Sequence, residues 1–219
     1  MDAAAAPDAY LVYVWIRDIH PLLWRRVLVR TDSTLADLHW VFQIAFGWTD
    51  FHLHRFRIRK TDCAIPRHGL MEGHDARQVR LADLAFRPNE RFLYEYDFGD
   101  LWQLEVRIEQ RVPIERRRTV PVCIGGHWGG PPEDCGGPAA FLEQRDAAPW
   151  RVQELLGAVA DAVTAKDIEA LDSPLEELAT WREWLTVYHF DRRTVNRRLR
   201  QYAQGGDGWR EEEGGAPCD

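Results

Sequence analysis

Residues 91–112, RFLYEYDFGDLWQLEVRIEQRV, decide the fold. Aromatic and β-branched residues alternate with polar ones on both sides of Gly99-Asp100, the pattern of two strands, 91–98 and 101–112, joined by a tight turn. Strand alternation places Phe92, Tyr94, Tyr96 and Phe98 on one face and Glu95 and Asp97 on the other. Four rings in a row are expected to fill a core; a platform on which bases stack is the other use of such a row. Glu95, Asp97 and the turn residue Asp100, joined by Glu133 and Asp134 from a later loop, offer oxygens that can hold Mg²⁺ for phosphoryl chemistry. The structural reading of the same residues has Asp97 and Asp100 bonding backbone N–H groups of the turn, and Glu133-Asp134 pairing with Arg25 or Arg26.

Working upstream, Tyr10–Arg17 (YLVYVWIR) and Leu23–Arg30 (LWRRVLVR) read as strands on either side of an HPL turn at 20–22. In the second, Trp24 and Arg26 share one side and Arg25 takes the other, so a guanidinium can stack on the indole or bind an anion. Ser33 or Thr34 caps a helix carrying Leu35, Leu38, Val41, Phe42 and Ala45 at helical spacing, and Gly47 stops it. His52–Arg59 alternates again, with His52, His54, Phe56 and Ile58 on one face. Residues 60–79 read as a long loop, and Leu81–Ala85 as one helical turn. Downstream, CIGGHWGGPPEDCGGP at 123–138 is too rich in turn residues for a regular element, and helices are expected at 139–146, 151–165, 174–187 and 191–203.

Strands first and helices afterwards give an α+β fold. It should comprise an N-terminal, mostly antiparallel sheet with one early helix, then a C-terminal group of helices packed on the sheet. One domain is expected over 9–203: the sheet part at about 9–122, the motif loop at 123–138 and the helical part at 139–203. Residues 1–8 and 204–219 are expected to be disordered. With 219 residues, 45% hydrophobic and ten Trp, the chain is long enough to bury about 70% of its surface, which excludes fibrous and wholly disordered classes.

The charge is uneven: residues 1–122 carry a net +1 and 123–219 a net −8. Such an acidic chain is unsuited to broad electrostatic binding of nucleic acid. Of 28 basic residues only Lys60 and Lys166 are lysines, a bias readable as the codon usage of a GC-rich genome or as selection for bidentate anion contacts. Arg192, Arg193, Arg197, Arg198 and Arg200 crowd one segment, readable as a solvated helix face or as a dock for an acidic partner or nucleic acid. MDAAAAPDAY lacks the positive region of a signal peptide, no apolar stretch approaches 18 residues, and four cysteines read as reduced thiols, so a cytoplasmic protein without a membrane span is expected.

Five ordered segments resemble the plasmid pRiA4b ORF-3-like family, also labelled TnpR-like passenger proteins of insertion sequences. They are Pro21–Val27 (PLLWRRV); Thr34–His39 (TLADLH) with FGWTD at 46–50 and HLHRF at 52–56; YEYDFGD at 94–100 with Trp102; PPEDCGGP at 131–138; and Phe190-Asp191 through VNRRL at 195–199. The resemblance spans roughly residues 10–200. It implies a single α+β domain of bacterial type, found near mobile elements, with no established biochemical activity. Family members typically carry a further Cys where this chain has Gly130, and often a polar residue and a His where it has Leu101 and Leu104.

A serine recombinase needs a nucleophilic Ser beside arginines, but Ser33 reads as a helix cap and Ser173 as part of a turn; Tyr188 and Tyr202 lack the surroundings of a tyrosine recombinase. Cys123, His127 and Cys135 offer two thiols and an imidazole to zinc, short of the usual four ligands. The reading that remains is a non-enzymatic binding module with no catalytic residues. Its contact surface is expected where three segments converge: the strand with His52 and His54, the turn with Asp97, Gly99, Asp100 and Trp102, and the loop with Pro131, Pro132, Glu133, Asp134, Gly136 and Gly137. Trp24, Arg25 and Arg26 are further candidates, and the partner is an unidentified protein or small anionic ligand. The alternatives are a Zn- or Mg-dependent enzyme acting on a phosphodiester or other anionic substrate, and a nucleic-acid accessory protein using the arginine-rich helix.

Overall fold

The computed structural model describes residues 8–67, 73–115, 118–206 and 208–210. The alternating segment forms β6 (Arg91–Tyr96) and β7 (Trp102–Pro113), paired antiparallel with Tyr94 opposite Leu104. Around this hairpin an eight-stranded sheet assembles from β1 (Asp8–Ile16), β2 (Trp24–Arg30), β3 (His54–Ile58), β4 (Thr61–Ala64), β5 (His74–Asp75) and β8 (Val122–His127). Its order is β5-β4-β3-β6-β7-β1-β2-β8, antiparallel except for the short β4–β5 pair. The helices are α1 (Leu35–Phe46), α2 (Gly137–Ala165), α3 (Asp172–Thr186) and α4 (Arg192–Ala203). The α+β expectation therefore holds, and among the described residues no helix is long and apolar enough to cross a membrane.

Period-two patterning builds the core. Val12, Val14 and Ile16 of β1, Phe56 and Ile58 of β3, Tyr94 and Tyr96 of β6, and Leu104, Val106 and Ile108 of β7 are all buried on one face. Each such side chain contributes on the order of 1.5–3 kcal/mol. The opposite face is laced with ion pairs, including Arg26–Glu109 at 2.7 Å and Arg55–Glu95 at 2.6 Å. There Arg26 lies over the rings of Trp24 and Tyr13, so the stacked guanidinium expected beside Trp24 is Arg26.

Ten of the twelve residues of α1 are buried, because the sheet covers one side while α4 and Trp209 approach the other. Thr34 caps α1 in a reciprocal box with Asp37, and Gly47 ends it at φ 86°. Arg25, 1% exposed, is aimed at the far end of this helix. Its Nε donates to Ala45 O at 2.7 Å, its Nη1 to Trp24 O and His127 O, and the guanidinium is held between Phe46 and Phe190. Burial lowers its pKa to about 9, which leaves it charged at neutral pH, where it complements carbonyls at the negative end of the helix. Neither Arg25 nor Arg26 meets Glu133 or Asp134, so that expected pairing is corrected.

Four further expectations are revised. Residues 60–79 contain β4 and β5 rather than only loop, because β3 turns directly back on itself and offers Cys63 a partner in Phe56. The Gly-rich start of 123–138 is strand, not loop: β8 pairs with β2, and Gly126 keeps it clear of a neighbour, because a Cβ there would lie 2.5 Å from the Phe190 ring. Helices 139–146 and 151–165 are one continuous α2 running through Pro149. Proline lacks the N–H that would bond the carbonyl four residues back; here that carbonyl, of Arg145, accepts the Tyr188 hydroxyl instead. Finally, the segment after 203 folds back far enough to bury Trp209 against Trp40 and Tyr202, while Asp8 already belongs to β1; residues 1–7 and 211–219 lie outside the described residues.

On the outer edge of β8, the Asn196 carboxamide of α4 accepts from Cys123 N at 2.7 Å and donates to Cys123 O at 2.8 Å. Arg192 takes the neighbouring Ile124 carbonyl.

Candidate functional site

The three motif segments meet at one end of the sheet, and Trp48 organises them. Its ring stacks between Phe46 and Tyr96, and its Nε1–H donates to Pro131 O at 3.0 Å. Glu133 accepts the hydroxyls of Tyr96 and Thr49 and the Thr49 N–H. Burial and this carboxylate push the Tyr96 pKa far up, so the phenol stays protonated and donates. Gly136 N–H donates to Asp100 at 3.0 Å, and a Cβ on Gly137 would lie 2.4 Å from Asp100 O, which explains the glycine pair after Cys135. At Gly130 a Cβ would lie 1.6 Å from Phe46 O, so the Cys that the family resemblance places there has no room in this chain.

Asp97 adopts φ 54° and its Oδ1 accepts the N–H groups of Gly99 and Asp100 at 2.9 and 3.3 Å, the turn-stabilising role expected of it. The left-handed residue interrupts the alternation. Phe98 consequently leaves the core face expected of it and lies half exposed over Arg55. The second Asp97 oxygen is 3.5 Å from His52 Nε2, which in turn is 2.8 Å from Asp134. That ring nitrogen is buried and has no hydrogen-bond partner among the described residues: the contact with Asp134 is close but out of line. His52, Asp97 and Asp134 thus place three donor atoms within 4.8 Å of one another. Exposed side chains surround them in the chain: Phe51 (76% exposed) and Leu53 beside His52, Phe98 and Leu101 around Gly99-Asp100. The Asp97 N–H to Leu53 O bond ties the two segments together.

A second cluster lies deeper. His54 faces the core and stacks on His39 of α1, with centroids 3.7 Å apart. Gln43 Nε2 donates to Tyr94 Oη, Tyr94 donates to His39 Nδ1, and His39 Nε2–H donates to Asp50; Asp50 N–H returns to Gln43 Oε1. This closed circuit fixes the tautomer of His39 and holds the turn after α1. Arg67 also pairs with Asp50. Burial holds both imidazoles well below their usual value and raises Asp50 to about 6. His39, Asp50 and His54 are a second group of three donors within 4.8 Å. The two imidazoles are nearly parallel, 18° apart, so their in-plane lone pairs do not point at a common ion. Sequence reading missed this cluster, although a histidine on the buried side of an apolar helix was its signal.

Cys123, His127 and Cys135 do not make such a group among the described residues. The Cys123 thiol donates to Gly125 O, and burial raises its pKa. Burial, with Asp100 nearby, pushes Cys135 up to about 12, so both stay protonated thiols at neutral pH. Trp102 is buried beneath Trp48 and Phe141. Of the arginine cluster, Arg192, Arg193 and Arg200 line a groove with Arg118, Asn196 and Cys123 and, among the described residues, no acidic side chain, whereas Arg198 Nε donates to Trp209 O.

The family described as plasmid pRiA4b ORF-3-like protein matches residues 8–198. An uncharacterised protein of Sinorhizobium fredii, y4hQ, is 34% identical over 161 residues, covering 73% of this chain and 77% of that protein. A crystal structure of MM3350, a protein of unknown function from Methanosarcina mazei Go1, superposes with a TM-score of 0.61 at 29% identity. It covers 86% of this chain and 97% of that one.

Proposed function

The chain belongs to the plasmid pRiA4b ORF-3-like family, and from that premise we propose that it is a non-enzymatic binding module of a reducing cytoplasm. Its contact surface is the face formed by 51–53, 97–101 and 131–137, and the partner is a protein segment that presents cationic and apolar side chains together. One observation carries this reading: exposed Phe51, Leu53, Phe98 and Leu101 flank His52, Asp97 and Asp100 in the chain, and Asp134 of the third segment contacts His52. Clustered exposed rings beside a fixed acidic floor suit recognition rather than folding. Glu133, Asp100 and Tyr96 are committed to hydrogen bonds that shape the floor, which supports a positioning role over a catalytic one. The free state of Cys63, Cys123 and Cys135 supports the reducing compartment.

The test is affinity capture from extracts of the encoding organism, comparing the full chain with an F51E/F98E variant. Both substitutions sit on exposed side chains and are expected to change stability by only about 0.5 kcal/mol or less. A partner retained by the native chain, released by raised salt and absent from the variant is the expected result. The same set of proteins on both columns refutes the reading.

A further inference from the structure

We propose that His52, Asp97 and Asp134 form a binding site for one divalent transition-metal ion, of the Zn²⁺ or Mn²⁺ type. The site lies in the face described above but stands on donor geometry alone.

One imidazole nitrogen and two carboxylate oxygens are a donor set suited to a borderline cation. Ligands bound at about 2.0–2.1 Å lie roughly 3.0–3.4 Å from one another, and the separations of His52 Nε2 from Asp134 and Asp97, 2.8 and 3.5 Å, bracket that range. The orphaned Nε2 is the second observation. Buried ring nitrogens without a hydrogen-bond partner are rare, and this one sits between two carboxylate oxygens without bonding in line to either. A lone pair directed at a shared cation accounts for that arrangement.

The neighbours prepare the ligands. Asp97 has one oxygen occupied by the turn N–H groups, which fixes the orientation of the other. Asp134 is held by its loop, whose next residue but one is bonded to Asp100, yet its side chain is 68% exposed, so it completes the site from the solvent side. Three protein ligands leave coordination positions open towards solvent, available to water or to a donor group of a bound partner.

Full-length protein is stripped with chelator, dialysed, and titrated calorimetrically with Zn²⁺ and separately with Mn²⁺; elemental analysis gives the stoichiometry. The native chain is compared with D134A, H52A and a C123S/C135S double variant. One equivalent per chain is expected, with affinity reduced at least tenfold in D134A and H52A and unchanged in C123S/C135S. Asp134 is exposed enough that its replacement leaves the fold intact, so D134A alone suffices if H52A fails to fold. No uptake by the native chain, affinity unaltered in D134A, or loss confined to C123S/C135S would each overturn the proposal. The F51E/F98E variant retains the metal, so failure of the metal site and failure of the contact face are read independently.

Discussion

Tyr188→Phe removes one hydroxyl and keeps a ring that packs on Trp128, so its effect isolates a single hydrogen bond. The acceptor is the carbonyl of Arg145, a residue 6% exposed, whose helical donor is missing because position 149 is proline. A neutral hydrogen bond contributes about 0.5–1.5 kcal/mol net, and leaving a buried carbonyl unmatched costs about 1–3 kcal/mol. We therefore expect Tyr188→Phe to destabilise by about 1.5 kcal/mol, or roughly 3–6 °C for a chain of this size. Pro149→Ala supplies a new N–H to the same carbonyl, so the hydroxyl becomes redundant. In that background Tyr188→Phe should cost about 1 kcal/mol less. Urea unfolding followed by far-UV circular dichroism and by tryptophan fluorescence, with coincident transitions required, measures all four corners of the cycle. Equal penalties in both backgrounds would refute the idea that Tyr188 replaces the bond proline removes.

Two other outcomes follow from burial. Asp50 is raised by burial from 3.8 to about 6. An acid whose folded value lies above its unfolded value holds its proton more tightly when folded. Its contribution is therefore present below about pH 4 and lost as pH rises through about 6. Asp50→Asn should remove that decline, which in the native chain opposes the rise contributed by His39 and His54, both held below their usual value; stability measured by urea unfolding should therefore climb more from pH 4 to 7 in the variant than in the native chain, and identical pH profiles would count against the reasoning. Gly130→Ala, with its Cβ directed at the Phe46 carbonyl, should destabilise by about 3 kcal/mol or more and displace the Pro-Pro-Glu-Asp loop, read as a lowered thermal midpoint; an unchanged midpoint would contradict the close approach.

The alternation in 91–112 revealed the central hairpin because side chains on a half-buried strand must alternate, and Thr34, Gly47 and the α1 stripe were legible for the same local reason. The errors share a physical origin: a distant residue supplied what the local sequence lacked. Pro149 reads as a helix break until Tyr188 is placed beside it. The glycines of 123–127 read as loop until β2 and Phe190 are seen pressing on them. At the site, the convergence of three motifs was legible in outline, since turn and loop residues of so fixed a pattern demand a common purpose. Their partners were not. Arg25 reads as an anion binder or a stacking group; it does stack, between Phe46 and Phe190 rather than on an indole, and its hydrogen bonds go to carbonyls of β2, α1 and β8. His39 and Asp50 escaped notice because their circuit closes only through Tyr94, which looked like an ordinary core ring.

The Asn196 carboxamide bonded to both main-chain groups of Cys123 has a consequence for assembly. It presents to β8 the same donor and acceptor that a ninth strand would offer, and Arg192 claims the adjoining carbonyl. The sheet is thereby terminated by side chains borrowed from a helix. An unprotected border of this kind recruits strands from other molecules and seeds aggregation. The segment that reads in sequence as an arginine-rich binding helix is thus also the selvage of this edge of the sheet, closing the main-chain groups of Cys123 and Ile124 to a further strand.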